Sequence, residues 1–161
     1  MYKEVQGNLI TMALEGQFEV ITHGCNCMCA MGAGIAPQMA AEFGCDHFDL
    51  EQKEFIGDMH KLGDIDYELV NIEERVTPLY VVNSYTQYAP GWNPIHKKRI
   101  PLDYSALRLC MMKINHIFKG KAIGLPQIGA GLAGGNWNYI KRIIRSELKD
   151  MDVTVVIFNG K

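Results

Sequence analysis

Several features are scarce in this chain of 161 residues, and each scarcity narrows what it can be. No apolar run approaches the ~20 residues needed to span a bilayer. The opening MYKEVQGNLI lacks the basic region and long apolar core of a secretory signal. Both absences predict a soluble, intracellular, cytoplasmic protein with no membrane partner. Charge of neither sign dominates: 16 Lys and Arg stand against 18 Asp and Glu, a formal net charge of −2, so there is no electrostatic footprint for nucleic acid. Fixed-period repeats and low-complexity tracts are absent. Most restrictive is the lack of any Lys or Arg from Ile21 to Gln52, since a phosphatase-type cysteine nucleophile in that segment would have no basic residue on its phosphate loop.

The five cysteines do not form a disulfide framework: three crowd at positions 25, 27 and 29, which suits a reducing compartment. His23, Cys25, Cys27 and Cys29 are all metal-ligand types, yet their spacing is poor for one ion and no second C-x-x-C completes a structural zinc site. Neither metal nor cofactor is expected. The cysteines read as small buried residues and the nine methionines as core filler. The length fits one domain over 1–161, enough to bury roughly two-thirds of the unfolded surface.

Two glycine-rich stretches are present. His23 to Ala36, HGCNCMCAMGAGIA, follows an apolar run (Phe18, Val20, Ile21) and precedes a helical pattern. Gly124 to Trp137, GLPQIGAGLAGGNW, repeats that strand, loop, helix form. Backbone N–H groups freed by glycines and aimed by helix N-termini make an anion site, and two such loops facing each other suit a diphosphate. Gly129, Gly131 and Gly134 spell G-x-G-x-x-G, but too little chain follows them for the half-sheet of a dinucleotide-binding fold. His23 and Asn26 leave a buried strand where open α/β sheets bind ligands. Tyr85 and Phe158, at the ends of other apolar runs, are candidate stacking walls.

In order, the pattern predicts a strand over Tyr2 to Val5, helical turns over Leu9 to Leu14, a strand over Phe18 to Thr22 and a helix over Gly34 to Phe43, with Pro37 in its first turn and Gly44 as its stop. A polar helix is expected between Phe48 and His60, then a half-exposed strand within Gly63 to Glu73 and a short strand over Leu79 to Val82. Asn83 to Pro101 reads as loop, including the basic run His96 to Arg99. A helix over Asp103 to Phe118, a strand over Ala122 to Leu125, a helix over Trp137 to Leu148 and a central strand over Val153 to Phe158 complete the chain. Strands alternating with helices give a three-layer α/β/α sandwich on a mixed, mostly parallel sheet.

These residues resemble a macrodomain, the ADP-ribose-binding α/β fold, over essentially the full length. The likeness rests on Gly7-Asn8-Leu9-Ile10, on H-x-C-N-C followed by MGAGIA, on LPQIGAGLAGGNW and on the final strand ending in an aromatic. The pattern is most similar to the subgroup of terminal ADP-ribose protein glycohydrolase and yeast-type ADP-ribose-1''-phosphate phosphatases. The resemblance implies that Asn8 accepts from the adenine amino group, that Leu9, Ile10 and Phe158 line the adenosine, and that Asn26 holds the distal ribose. Gly32, Ala33, Gly34 and Ile35 would face Gln127, Ile128, Gly129, Ala130, Gly131 and Leu132 across the diphosphate. His23 and Asn26 would be the catalytic pair. Two catalytic groups of the glycohydrolases are missing: Tyr85 or its neighbours stand where a Lys is used, and Ala133 where an Asp is used. The expected activity is removal of the 1''-phosphate from ADP-ribose-1''-phosphate. A non-catalytic ADP-ribose-binding module, or a hydrolase of ADP-ribosylated protein, are the alternatives.

Overall fold

The computed structural model describes residues 1–73, 75–94, 97 and 100–160. Among the described residues six strands form one sheet: β1 (Tyr2–Gly7), β2 (Val20–Asn26), β3 (Ile65–Val70), β4 (Leu79–Gln87), β5 (Ala122–Leu125) and β6 (Asp152–Phe158). Their order is β1-β6-β5-β2-β4-β3, and every pairing is parallel except β3 with β4. This is the mixed, mostly parallel sheet expected. Parallel strands need covered faces, and among the described residues four α-helices cover them. One face carries α3 (Tyr104–Ile117) and α4 (Trp137–Glu147), whose Leu107, Met111, Ile114, Ile140 and Ile144 pack with Val20, Ile123 and Val155. The other face carries α1 (Leu9–Leu14) and α2 (Ala36–Phe43), where Leu9, Met39 and Phe43 pack with Ile21, Val81 and Val156.

Local chemistry sets most boundaries. Asp103 caps α3 by accepting from Ala106 N–H, and Gly44 closes α2 in the left-handed region at φ 67°, as a C-terminal glycine does. Pro37 lies in the first turn of α2.

Two expectations fail. Phe48 to His60 is not a polar helix but short 3-10 turns, at Asp49–Glu51, Lys53–Phe55 and Met59–Lys61. Tertiary partners take the backbone groups a helix would use: Leu50 N–H donates to Asp66 Oδ2 at 2.8 Å and Gly57 N–H to Cys27 O at 2.7 Å. The second failure is Asn83 to Gln87, expected as loop, which continues β4, just as His23 to Asn26 continues β2. Each polar extension satisfies the other. Thr22 Oγ1 and Ser84 Oγ lie 2.7 Å apart, and His23 faces Asn83 across the ladder. Of the basic run His96 to Arg99, all but Lys97 lies outside the described residues.

Candidate functional site

At the C-terminal edge of the parallel strands two adjoining cavities open, of about 460 and 350 Å³. The larger lies between the first glycine-rich loop (Asn26, Gly32, Ala33, Gly34, Ile35) and the second (Gln127, Ile128, Gly129, Gly131, Leu132). The smaller is lined by Asn8, Leu9, Gln38 and Phe158, and it shares Gly34, Ile35 and Pro126 with the larger. One continuous cleft therefore runs from the end of β6 to the end of β4.

The two loops differ in what they offer. Helix α2 follows its N-cap Ile35, which makes no side-chain cap bond, and Ile35 and Ala36 both line the larger cavity, which leaves the first N–H groups of the helix available to an anion there. Helix α4 is capped by Asn136, whose Oδ1 accepts from Tyr139 N–H at 3.2 Å, and its first turn lines neither cavity. Of the two loops, the first brings a helix N-terminus to the larger cavity, while the start of α1 at Asn8 and Leu9 lines the smaller one. The second loop closes on itself through Gly134 N–H to Gly131 O and Gly135 N–H to Gly129 O, bonds that leave the N–H groups of Gly131 and Leu132 out. Its glycines have separate jobs. A Cβ on Gly135 would meet Leu102 Cδ2 and stand 2.7 Å from Gly129 O, whereas one on Gly131 would meet nothing within 4 Å. Gly135 lets the loop pack; Gly131 leaves the wall open.

Asn26 lines the larger cavity, but its amide is engaged: Nδ2 donates to Ala30 O at 2.9 Å and Oδ1 accepts from Ala30 N–H at 3.2 Å. It shapes the loop as well as facing the cleft. Asn8 caps α1 through Oδ1, which accepts from Thr11 N–H at 3.1 Å. Phe158, 66% exposed at the end of β6, stands as an aromatic wall.

His23 requires a correction. It is fully buried and lines neither cavity. It follows Ile21 on the face of β2 that packs under α2, since strand side chains alternate. Its Nε2 lies 2.7 Å from Asn83 Oδ1, while Asn83 Nδ2 donates to Cys45 O at 2.8 Å. That arrangement makes Nε2–H the donor. Burial pulls the imidazole pKa down to about 4, against the opposing hydrogen bond to Asn83, so the ring is neutral. Ile10 and Ala130 line neither cavity: Ile10 is buried in one core and half-buried Ala130 packs against the other. Tyr85 is no stacking wall; it is fully buried and donates to Asp66 Oδ2 at 3.0 Å.

Residues not foreseen also line the cleft: Gln38 in the first turn of α2, Pro126, Thr86 and Gln87 at the end of β4, and Pro90 and Gly91 just after it. The turn dipeptide Pro90-Gly91 was the one available signal for that last group. Among the described residues no Asp, Glu, Lys, Arg or His lines either cavity. Nor does any group of three metal-ligating side chains come together among them. The same residues contain no helix long and apolar enough to cross a membrane.

Asp66 and His23 make acid stability legible. Burial, opposed by bonds from Tyr85 and Leu50, raises Asp66 to about 6. Below pH 6.5 the unfolded chain takes up a proton that buried His23 refuses, so His23 costs stability as pH falls towards 4. Asp66 works in the opposite sense: its folded pKa lies above the unfolded value, so falling pH through 6 relieves it. The two slopes offset between about pH 4 and 6. Asp66→Asn should therefore steepen the loss of stability in that window by about 1 kcal/mol per pH unit, read from denaturant midpoints between pH 4 and 7; an unchanged slope would refute the offset.

No protein-family model matches the sequence. An uncharacterized 17.5 kDa protein from the tk-vs intergenic region of Enterobacteria phage T4 is 34% identical over 159 residues, covering 96% of this chain and 94% of its own. The macrodomain of Mycobacterium tuberculosis DarG superposes with a TM-score of 0.70 at 17% identity, covering 97% of each chain. The Trypanosoma brucei macrodomain in complex with ADP-ribose superposes at 0.60 with 18% identity, covering 98% of this chain and 63% of that one. At such identities the structural likeness establishes architecture, and the phage relative establishes kinship: the chain belongs to the family of the phage T4 17.5 kDa protein and carries the macrodomain fold.

Proposed function

We propose that the cleft binds ADP-ribose and that recognition of this nucleotide is the function of the chain. The observation that carries the reading is the junction of the two cavities at Gly34 and Ile35. The smaller cavity takes the adenosine against Phe158 and Asn8. The diphosphate crosses between the start of α2 and Gly131, where backbone N–H groups bind anions without a charged side chain. The distal ribose lies in the larger cavity beside Asn26. That the T. brucei macrodomain is a complex with ADP-ribose supports this choice of ligand.

Removal of the 1''-phosphate is the second reading, within the phosphatase-like subgroup that the sequence resembles. Room beyond Asn26, bounded by Gln87, Pro90 and Gly91, favours it. Gln87 Nε2 donates to Ala89 O at 3.1 Å, which turns the side-chain amide into a fixed group able to orient a water. Backbone amides would stabilise the charge on the transferred group, because His23 lies outside the cleft. Binding stands first: a positioned acid or base is worth 10² to 10⁴ in rate, and none of the described residues supplies one. Incubation with ADP-ribose-1''-phosphate and, separately, with an ADP-ribosylated protein ranks the two readings by turnover.

Binding itself has a direct readout. ADP-ribose at a hundredfold excess over Kd should stabilise the native state by about 2.7 kcal/mol and raise Tm by several degrees. AMP, which cannot bridge the two cavities, should do less. An unmoved Tm in millimolar ADP-ribose would refute the reading while leaving the fold intact.

A further inference from the structure

Behind the first loop lies a group that neither cavity uses. Lys61 is 1% exposed, on the last of the 3-10 turns. Lysine is almost never so buried unless paired. Its described neighbours are the rings of Tyr85 and Phe55, whose centroids lie 5.7 and 6.0 Å from Nζ, Cys29 Sγ at 2.7 Å, and the buried carboxylate of Glu51, which interacts with both Lys61 and Cys29. That separation is usual for a charged N–H to oxygen. It is short for the larger sulfur atom, too short to admit a water and too long for a direct bond. Cys29 is itself held in the left-handed region at φ 58°, unusual for a residue with a Cβ. It is half-buried on the Asn26–Ala30 turn, so small oxidants reach it.

We propose that Cys29 and Lys61 form a covalent redox cross-link, joined through one oxygen as S–O–N when the protein meets a peroxide. The balance is as follows. One peroxide oxidises the thiol: an S–O bond forms, the O–O bond breaks and water leaves, giving the sulfenic acid. A second oxidises the amine in the same way, once its ammonium proton has passed to solvent, forming N–O and releasing water. The nitrogen-bound oxygen then attacks sulfur, and the sulfenic hydroxyl leaves with the hydroxylamine proton as a third water. Two peroxides are reduced; thiol and amine together lose two hydrogens and gain one oxygen. Burial pushes the Cys29 thiol up while the Lys61 hydrogen bond pulls it back, so the pair is held close without a permanently exposed thiolate. Once formed, the link ties a wall of the cleft to a turn 32 residues away in sequence.

Intact-mass and peptide mapping of the whole protein after dilute hydrogen peroxide tests this. The expected product is heavier by about 14 Da, joins the Cys29 peptide to the Lys61 peptide, and is cleaved by dithiothreitol. Its Tm should exceed that of the reduced protein by several degrees, since closing a loop constrains the unfolded chain. Cys29→Ser and Lys61→Arg should each abolish the product. A gain of about 16, 32 or 48 Da on Cys29 with the Lys61 peptide free would overturn the proposal. So would the same cross-link mass persisting in either variant, and wild-type protein alone suffices should a variant fail to fold.

Discussion

Replacing Gly131 with Glu is expected to weaken ADP-ribose binding by roughly 10²-fold or more, about 2.7 kcal/mol, with stability changed by less than about 0.5 kcal/mol. The asymmetry follows from the surroundings of the residue. A Cβ there meets nothing within 4 Å, so the folded chain accepts the side chain without strain. The carboxylate then occupies the space where the diphosphate would lie and repels it. Gly34→Glu should block binding equally but cost about 1 kcal/mol more in stability, because its φ of +63° is a conformation that a side chain bearing a Cβ adopts only with strain. Titration calorimetry and thermal unfolding of both variants separate the two effects. Wild-type affinity in Gly131→Glu would mean that the second loop is not a phosphate wall.

His23→Ala should act in the opposite way. Removing a fully buried ring leaves a cavity and strips Asn83 Oδ1 of its donor, a combination worth about 2–4 kcal/mol and on the order of 10 °C in Tm for a domain of this size. ADP-ribose affinity, measured where the variant is still folded, should hold. Asn83→Ala should mimic it, since Asn83 joins His23 to the Cys45 carbonyl. If His23→Ala instead keeps its stability and loses turnover of ADP-ribose-1''-phosphate, the ring acts on the ligand and its burial misleads.

That reversal shows where sequence reading reached and where it stopped. The apolar periodicity that yields α3, α4, β5 and β6 is a property of one face at a time, so their positions were legible to within a residue or two. Loop glycines were legible as a group, because strand, glycines and helix occur twice in order. What could not be read is the polar continuation of β2 and β4. Thr22, His23, Asn83 and Ser84 carry loop-like side chains in the middle of a sheet, and their mutual hydrogen bonds offset the cost of burial. Each strand alone resembles the start of a loop. Alternation did hold a clue: Ile21 points into the core, and His23 lies two residues on. Choosing which glycines touch ligand needs the distance from Gly135 to Gly129 O, which no spacing rule supplies.

The sheet order also dictates when the cleft can exist during synthesis. Among the described residues strand β1 pairs with β6 alone, bringing Gly7 beside Phe158 across nearly the whole sequence. A growing chain can therefore assemble β2, β3 and β4 early, while β1 waits for β6 to leave the ribosome. Such long-range pairing is slow and leaves an unpaired edge exposed in the interim. The half of the cleft built on Asn8, Leu9 and Phe158 is the last to form, so nascent or truncated chains lacking residues 152–158 should hold no nucleotide even when the rest of the sheet is in place.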